Sequence, residues 1–410
     1  TKKSGIFYLI AFLFFLTQFP LKLFAEYKFL DAIEEFGERR FVRSRPSRIQ
    51  AGPLRIHPRL RTKAEYDSNI LMETEDERED VIYTITPGTI LQIPVDKHQL
   101  TVGYEADIEI FSKSRHAKQN DQNQTFFSLL DVHFPSWYVN VYDKLVETSS
   151  RSGTTFTDRI PRIDHAINPK AGYRWKRMTF EAGFQHFVRD FRRHSEKPFD
   201  FQSIEWSGVL FYDLFARLKA VMEYQLAQID YPNVFYRNGT FHQVRAGVEG
   251  EILPDLVIKL RTGPQFRNYQ RSYKPDFNSW VASLVTTYTI RKDLKLEFTF
   301  ARQPVEATFH DVNFFKQHIF KFGGSYKFRL KWTLFADAEY KRQDYAERAT
   351  VLSQTGFRHD DHFFWETGLR YAFREWLGFE LAYQYFRRDS NFSIYDYTDH
   401  RVSLASNFSY

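Results

Sequence analysis

Several groups of residues in this chain have types and spacings that could do chemistry. Glu105, Asp107 and Glu109 stand at every second position. On an extended strand Glu105 and Asp107 would share a face about 7 Å apart, and two carboxyls so placed could divide acid and base roles on a glycoside. His359-Asp360-Asp361-His362 carries ligands for a divalent cation, as does the acidic run Glu73, Glu75, Asp76, Glu77, Glu79 and Asp80. Another set is basic and alternates in the same way: Arg55, His57, Arg59, Arg61 and Lys63. Each has a plainer reading. Charges at period two are far more often the wetted wall of a strand than a catalytic dyad, and loop histidines and aspartates are usually just hydrated. The motifs G-x-S-x-G, H-E-x-x-H and G-x-x-x-x-G-K-[ST] are absent. Cys is 0, which removes thiolate metal sites, Cys nucleophiles and a disulfide scaffold. No catalytic residue, metal or cofactor is assigned, and the chain is not expected to be an enzyme.

The elements that carry these residues alternate with period two. Leu100, Val102, Tyr104, Ala106, Ile108 and Ile110 oppose Thr101, Gly103, Glu105, Asp107 and Glu109. The same holds for Leu294 to Phe300, Phe363 to Tyr371 and Leu377 to Tyr385. Successive strand residues point to opposite faces, so each stretch has one apolar and one polar face. Between Leu54 and Tyr410 about 18 such stretches are expected (16–18). Short turns such as Pro135-Ser136 and Arg291-Lys292 alternate with long polar connections at 67–79, 112–123, 148–161, 189–201, 229–239, 268–278, 304–312, 342–360 and 388–397. Short turns at one end and long loops at the other are the pattern of a transmembrane antiparallel up-and-down β-barrel, which closes and so leaves no sheet edge in lipid.

Composition agrees with that reading. Phe 43, Tyr 24 and Trp 7 make up 18% of the 410 residues, yet the mean hydropathy is −0.50. A polytopic helical membrane protein would need repeated apolar runs of about 20 residues, and disordered chains are poor in aromatics. Lys2 and Lys3 precede an apolar run from Ile6 to Leu16, with Leu23-Phe24-Ala25 as a cleavage site, so residues 1–25 read as a signal peptide. Its removal would take away three lysines and lower the net charge from +6 to +3, which leaves little case for a nucleic-acid partner. Residues 26–53 read as a periplasmic arm, with a short helix over 26–36 and a basic linker containing Arg39, Arg40, Arg43, Arg45 and Arg48. Residues 54–410 read as the barrel, placing the chain in the outer membrane of a Gram-negative-type bacterium.

If the apolar face meets lipid, the other parity lines a pore. Arg55, Arg59, Arg61 and Lys63 of the first strand, with Arg401 of the last, then form a basic stripe, and Glu105, Asp107 and Glu109 face them from two strands along. Arg245, Lys259, Arg261, Glu297, Glu339, Glu366, Arg370 and Glu380 add lining charges of both signs. Either these merely pair across strands, or they guide a hydrated solute. Trp137, Trp175, Tyr212, Trp332 and Trp376 sit beside short turns and read as a periplasmic aromatic girdle. Val402, Leu404, Phe408 and Tyr410 share a face of the final strand and resemble the signal that barrel assembly machinery reads.

Tyr66-Asp67-Ser68-Asn69-Ile70, the acidic loop, Asp80, Ile85-Thr86-Pro87-Gly88, Leu100 and Gly103-Tyr104 resemble the opening of the beta-barrel porin-2 family. The match covers residues 54–110 and carries no catalytic residues. The resemblance implies an outer-membrane conduit for an exported exopolysaccharide, with the polymer as ligand and a periplasmic polysaccharide-export component as partner beside lipid and lipopolysaccharide. A general or nutrient-uptake diffusion porin is the rival reading. A plugged structural or adhesive barrel with partner-binding loops is the rival of another class.

Overall fold

The structure is a computed structural model that describes residues 49–113, 116, 120–149, 159–270, 277–309, 312–351 and 354–410. The expected signal peptide and nearly all of the expected arm lie outside the described residues. The described strands are β1 (Ile49–Ala51), β2 (Leu54–Asp67), β3 (Asp80–Val95), β4 (His98–Phe111), β5 (Asp121–His133), β6 (Trp137–Thr148), β7 (Arg162–Trp175), β8 (Met178–Phe191), β9 (Phe201–Phe215), β10 (Leu218–Asp230), β11 (Gly239–Leu253), β12 (Leu256–Tyr269), β13 (Phe277–Arg291), β14 (Leu294–Phe309), β15 (Val312–Arg329), β16 (Trp332–Val351), β17 (Gln354–Arg374), β18 (Leu377–Ser390) and β19 (Tyr397–Ser409).

From β2 onward each strand pairs antiparallel with the next, and β19 returns to β2 in the register Arg401↔Asp67 to Ser409↔Arg59. The result is a closed barrel of 18 strands, as the alternation predicts, and closure satisfies the backbone donors and acceptors that an edge would leave bare. β19 stops at Ser409 opposite Arg59. Below it β1 takes over as partner of β2, in the register Ile49↔Ile56 to Ala51↔Leu54. Gly52 at φ +62° supplies the tight turn between the two, a conformation that costs a residue with Cβ.

The apolar parity faces out. Leu334, Leu369, Leu381 and Leu404 stand in register across β16 to β19, and Leu404 is 59% exposed. Nearer the long-loop end, Phe300, Phe320, Tyr340 and Phe363 form an outward row across β14 to β17, with successive ring centroids 5.0, 6.3 and 5.1 Å apart. The other parity faces in, where neighbouring strands shield its polar residues and a buried apolar cluster that includes Ile90, Phe127, Phe187 and Phe241. A water-exposed apolar exterior around shielded polar residues reverses the usual soluble arrangement.

Two expectations about connections are corrected. Residues 342–360 were expected as a loop, but β16 runs to Val351 and β17 begins at Gln354. Residues 304–312 likewise fall almost wholly within β14 and β15. Beyond the apolar band a hairpin has no lipid face, so both parities are polar there and period two disappears from the sequence. Backbone pairing continues regardless, as in Arg348↔Phe357 and Val351↔Gln354.

Candidate functional site

The interior wall holds the charges singled out above, and most of them meet in pairs. Arg59 reaches past β3 to Glu105 at 3.3 Å. Arg61 reaches past β19 to Glu380 at 3.1 Å, and Glu380 also binds Arg370 at 2.7 Å. Lys63 pairs with Glu65 at 2.8 Å. Arg401 lies 2.6 Å from Asp399 and 3.2 Å from Asp67. Side chains that meet across an intervening strand must share the concave face. Arg55 stands exposed at the start of β2, and the His57 ring is 3.0 Å from the Gln92 amide oxygen.

The other candidates follow the same rule. Arg245 binds Glu223 at 2.6 Å, and Arg261 binds Glu223 at 3.2 Å and Glu249 at 2.7 Å. Lys259 is in register with Glu249 on β11 and Val285 on β13. Glu297 pairs with Lys295 at 2.7 Å and Glu339 with Lys341 at 3.6 Å. Glu366 accepts from the Gln384 amide at 2.9 Å. The Arg370 guanidinium lies 3.9 Å over the Phe335 ring. From Arg59 onward the basic stripe is therefore compensated by carboxylates from β2, β4, β18 and β19. A charge withdrawn from water needs such a partner, and most charges of the wall have one.

The groups with possible catalytic or metal chemistry are dispersed or occupied. Glu105 is held by Arg59, Asp107 accepts from the Thr86 hydroxyl at 2.5 Å, and Glu109 is ion-paired with Arg159. Strand alternation sends His359 and Asp361 to one face of β17 and Asp360 and His362 to the other. Asp360 is fully buried against Arg358, and the His362 ring is 3.2 Å from the Gln343 amide oxygen. In the acidic loop Asp76 pairs with Arg78 at 2.8 Å, Glu79 with Lys113 at 2.8 Å, and Asp80 with the His116 ring at 2.7 Å.

A second zone, which the sequence did not reveal, lies toward the long-loop end of the interior. Gln225, Gln243 and Gln265 stack side by side on β10, β11 and β12. Gln243 donates to Gln225 at 2.7 Å and Gln265 donates to Gln243 at 2.9 Å. Arg267 continues the ladder to Gln265 at 3.3 Å and forms an ion pair with Glu306. The connection after β10 folds back onto this ladder. The Tyr231 hydroxyl donates to Glu306 at 2.9 Å, and Arg237 donates to the carbonyls of Ala307 and Val312 while its guanidinium lies 4.4 Å over the Tyr231 ring.

The connection after β18 also folds inward, packing on β14 to β17. Arg358 sits between Tyr345 and Tyr395, 4.9 and 3.7 Å from the ring centroids. Phe392, Phe315 and Val312 pack beside them. Gln243, Gln343, Asn313 and Arg358 are at most 1% exposed, whereas Lys63 and Glu339 lower down keep about a quarter of their side-chain surface. The interior is thus wetted in its lower part and packed near the long loops. Within the packed zone both polar atoms of the Asn313 amide, and the Gln343 amide nitrogen, lack a hydrogen-bond partner among the described residues. The only sequence signal for this zone is aromatic and arginine residues (Tyr231, Arg237, Phe392, Tyr395) in connections that otherwise read as solvated.

The aromatic candidates lie at the short-turn end. Trp137 opens β6 and stacks on Phe134 at 4.0 Å, Trp332 opens β16 and stacks on Tyr371 at 4.4 Å, and Trp376 lies 5.6 Å from Phe408. Trp175 closes β7 and is 52% exposed, and Tyr212 stands on the outward parity of β9. Val402 and Leu404 face outward on β19, and the Tyr410 amide donates to the Pro58 carbonyl at 3.2 Å.

No family model matches the chain, and no curated protein matches it. Among solved structures it is similar to OpdK from Pseudomonas aeruginosa, in complex with vanillate, at 10% identity over 87% of this chain and 99% of that one, with a TM-score of 0.46. It is also similar to OccAB3 from Acinetobacter baumannii, at 9% identity over 88% and 100% of the chains and TM-score 0.47. The siderophore receptor PirA from Pseudomonas aeruginosa follows, at 11% identity over 89% and 81%, with TM-score 0.44.

Proposed function

We propose that the chain is an outer-membrane β-barrel channel for small, uncharged or weakly charged hydrophilic solutes, with the short turns in the periplasm and the long loops outside. A closed barrel with an apolar exterior supports the membrane, because open edges and irregular backbone are not tolerated in lipid. The observation that carries the channel is the interior wall. Most of its charges are paired off beside a buried apolar cluster that includes Phe127, Phe187, Phe201 and Phe241, and toward the long loops the buried Asn313 and Gln343 amides keep unpartnered atoms. Such atoms are costly unless a water or a passing hydroxyl satisfies them. Weak, repeated hydrogen bonding of this kind lets a polyol enter and leave. The reading assigns no catalytic step, and it takes lipid, lipopolysaccharide and the barrel assembly machinery as partners.

The test is solute flux. Liposomes carrying the purified barrel should swell in a monosaccharide, and planar bilayers should show small single-channel currents. Arg237→Ala removes the clamp on the loop after β10 and should raise the conductance. A folded barrel that passes neither ion nor sugar, in the wild type and in Arg237→Ala alike, overturns the proposal.

Export of an exopolysaccharide is the second reading, favoured by the resemblance in residues 54–110 and by the pairing of most charges on the wall. It requires the packed outer zone to open. Loss of surface polymer on gene deletion supports it, and loss of growth on a small solute supports uptake.

A further inference from the structure

The barrel wall splits on its outer side between β13 and β14. β12 stays paired with β13 up to Arg267↔Phe277, and β14 with β15 up to Phe309↔Val312. Between them, β13 and β14 pair only as far as Ala282↔Arg302. Above that point the β13 edge has no strand partner, and side chains take over. The Arg302 guanidinium donates to the Trp280 carbonyl and, at 2.9 Å, to the Ser279 hydroxyl. A cleft opens at the split, lined among others by Phe266, Asn278, Ser279, Trp280, Arg302 and Lys316.

The height of this cleft follows from the rows of the sheet. The outward row Phe300–Phe320–Tyr340–Phe363 is succeeded, one step nearer the loops, by Arg302–His318–Arg342–Asp361, and then by Pro304–Lys316–Asp344–His359. Aromatic residues giving way to charge marks the membrane–water boundary. Within these rows Arg342 is matched by Asp344 at 3.1 Å and Asp361 at 3.6 Å. Arg302 instead contacts neutral groups, the Trp280 ring at 4.2 Å and the His318 ring nitrogen at 3.1 Å. Among the described residues no carboxylate forms an ion pair with Arg302 or Lys316. The outward rows here set Arg302, Lys316 and Arg342 against Asp344 and Asp361, with Asp344 in register beside Lys316, so an excess of positive charge lies beside exposed rings at the level of lipid headgroups.

We propose that this cleft binds the phosphate-bearing headgroup of an outer-leaflet lipid. Arg302 and Lys316 contact the phosphate, and Phe266 and Trp280 flank the root of the acyl chains. Charge complementarity selects the occupant, since an arginine with free donor capacity is matched to phosphate oxygens. The inference rests on the outer-membrane placement proposed above.

The experiment is native mass spectrometry of the detergent-purified barrel, titrated with diphosphoryl lipid A and, in parallel, with its dephosphorylated form. The phosphorylated lipid should bind about tenfold more tightly, and both Arg302→Gln and Lys316→Gln should erase that preference. The Lys316 side chain makes no hydrogen bond or ion pair among the described residues, so its variant leaves the wall intact if Arg302→Gln fails to assemble. Equal binding of the two lipids, an unchanged preference in Lys316→Gln, or complete displacement by millimolar inorganic phosphate overturns the proposal, the last by revealing a free-anion site. A barrel that conducts without phosphate preference removes this inference alone. A barrel that prefers lipid A but never conducts removes the channel alone.

Discussion

At the scale of single residues, the interior is governed by compensation. Glu380 serves two cations at once, Arg61 and Arg370. Glu380→Gln would leave both under-compensated on a wall where most charges are paired. The expected outcome is a reversal potential displaced toward anion selectivity in a salt gradient, with little change in folding, because these pairs are partly wetted and individually weak. An unchanged reversal potential would show that the pair does not face the ion path. Packing sets the other residue-level constraint. A Cβ on Gly103 would lie 2.1 Å from the Phe127 ring, so the glycine provides the space into which the ring folds. Gly103→Val should cost about 1–3 kcal/mol, as overpacking does. The measurement is the temperature at which the folded band disappears in unheated-versus-heated electrophoresis, and Gly103→Val combined with Phe127→Ala should recover part of the loss.

At the scale of elements, alternation does most of the work. A strand with one apolar parity can sit in only one orientation relative to lipid, because a slip by one residue would expose its entire polar set. The final strand is the sharpest case. Leu404 faces outward in register with Leu381, opposite inward Ser403 and Ala405. Leu404→Arg should cost about 2–4 kcal/mol if the row lies near the bilayer midplane, read as a reduced folded fraction in vesicles, whereas Ser403→Arg should be tolerated better. The reverse order would place the lipid on the other face. Alternation also explains where sequence reading falters. It followed the strands through their lipid-facing parts but stopped at Lys341, since Arg342 to Val351 has no lipid-facing set to mark the period. That stretch is nevertheless strand, held by backbone pairing to β17.

At the scale of the whole molecule, closure turns local pattern into a site. Arg61 and Glu380 are 319 positions apart, and Ser68 and Asp399 331 apart. Each pair meets only because β19 returns to β2. The packed outer zone has the same origin. Tyr231 and Arg237 reach β14 and β15 across the top of the barrel, and breaking the Arg267–Glu306 pair beneath them by Glu306→Ala should cost about 3–5 kcal/mol, since it leaves a buried guanidinium unmatched. A thermal midpoint unchanged by Glu306→Ala would mean that the zone opens readily in solution.

The residues alone determined the strands in their lipid-facing parts, their number of about 18, the inward and outward parities, the short turns and most of the long connections, and which charges could line the interior. These follow from period-two chemistry, in which every residue reports on its own face. The pairing of charges, the folding back of the connections after β10 and β18, the split between β13 and β14, and the meeting of Arg302 and Lys316 at that split were decided only by the tertiary structure. They depend on register and closure, which bring together residues whose separation along the chain carries no trace of their meeting.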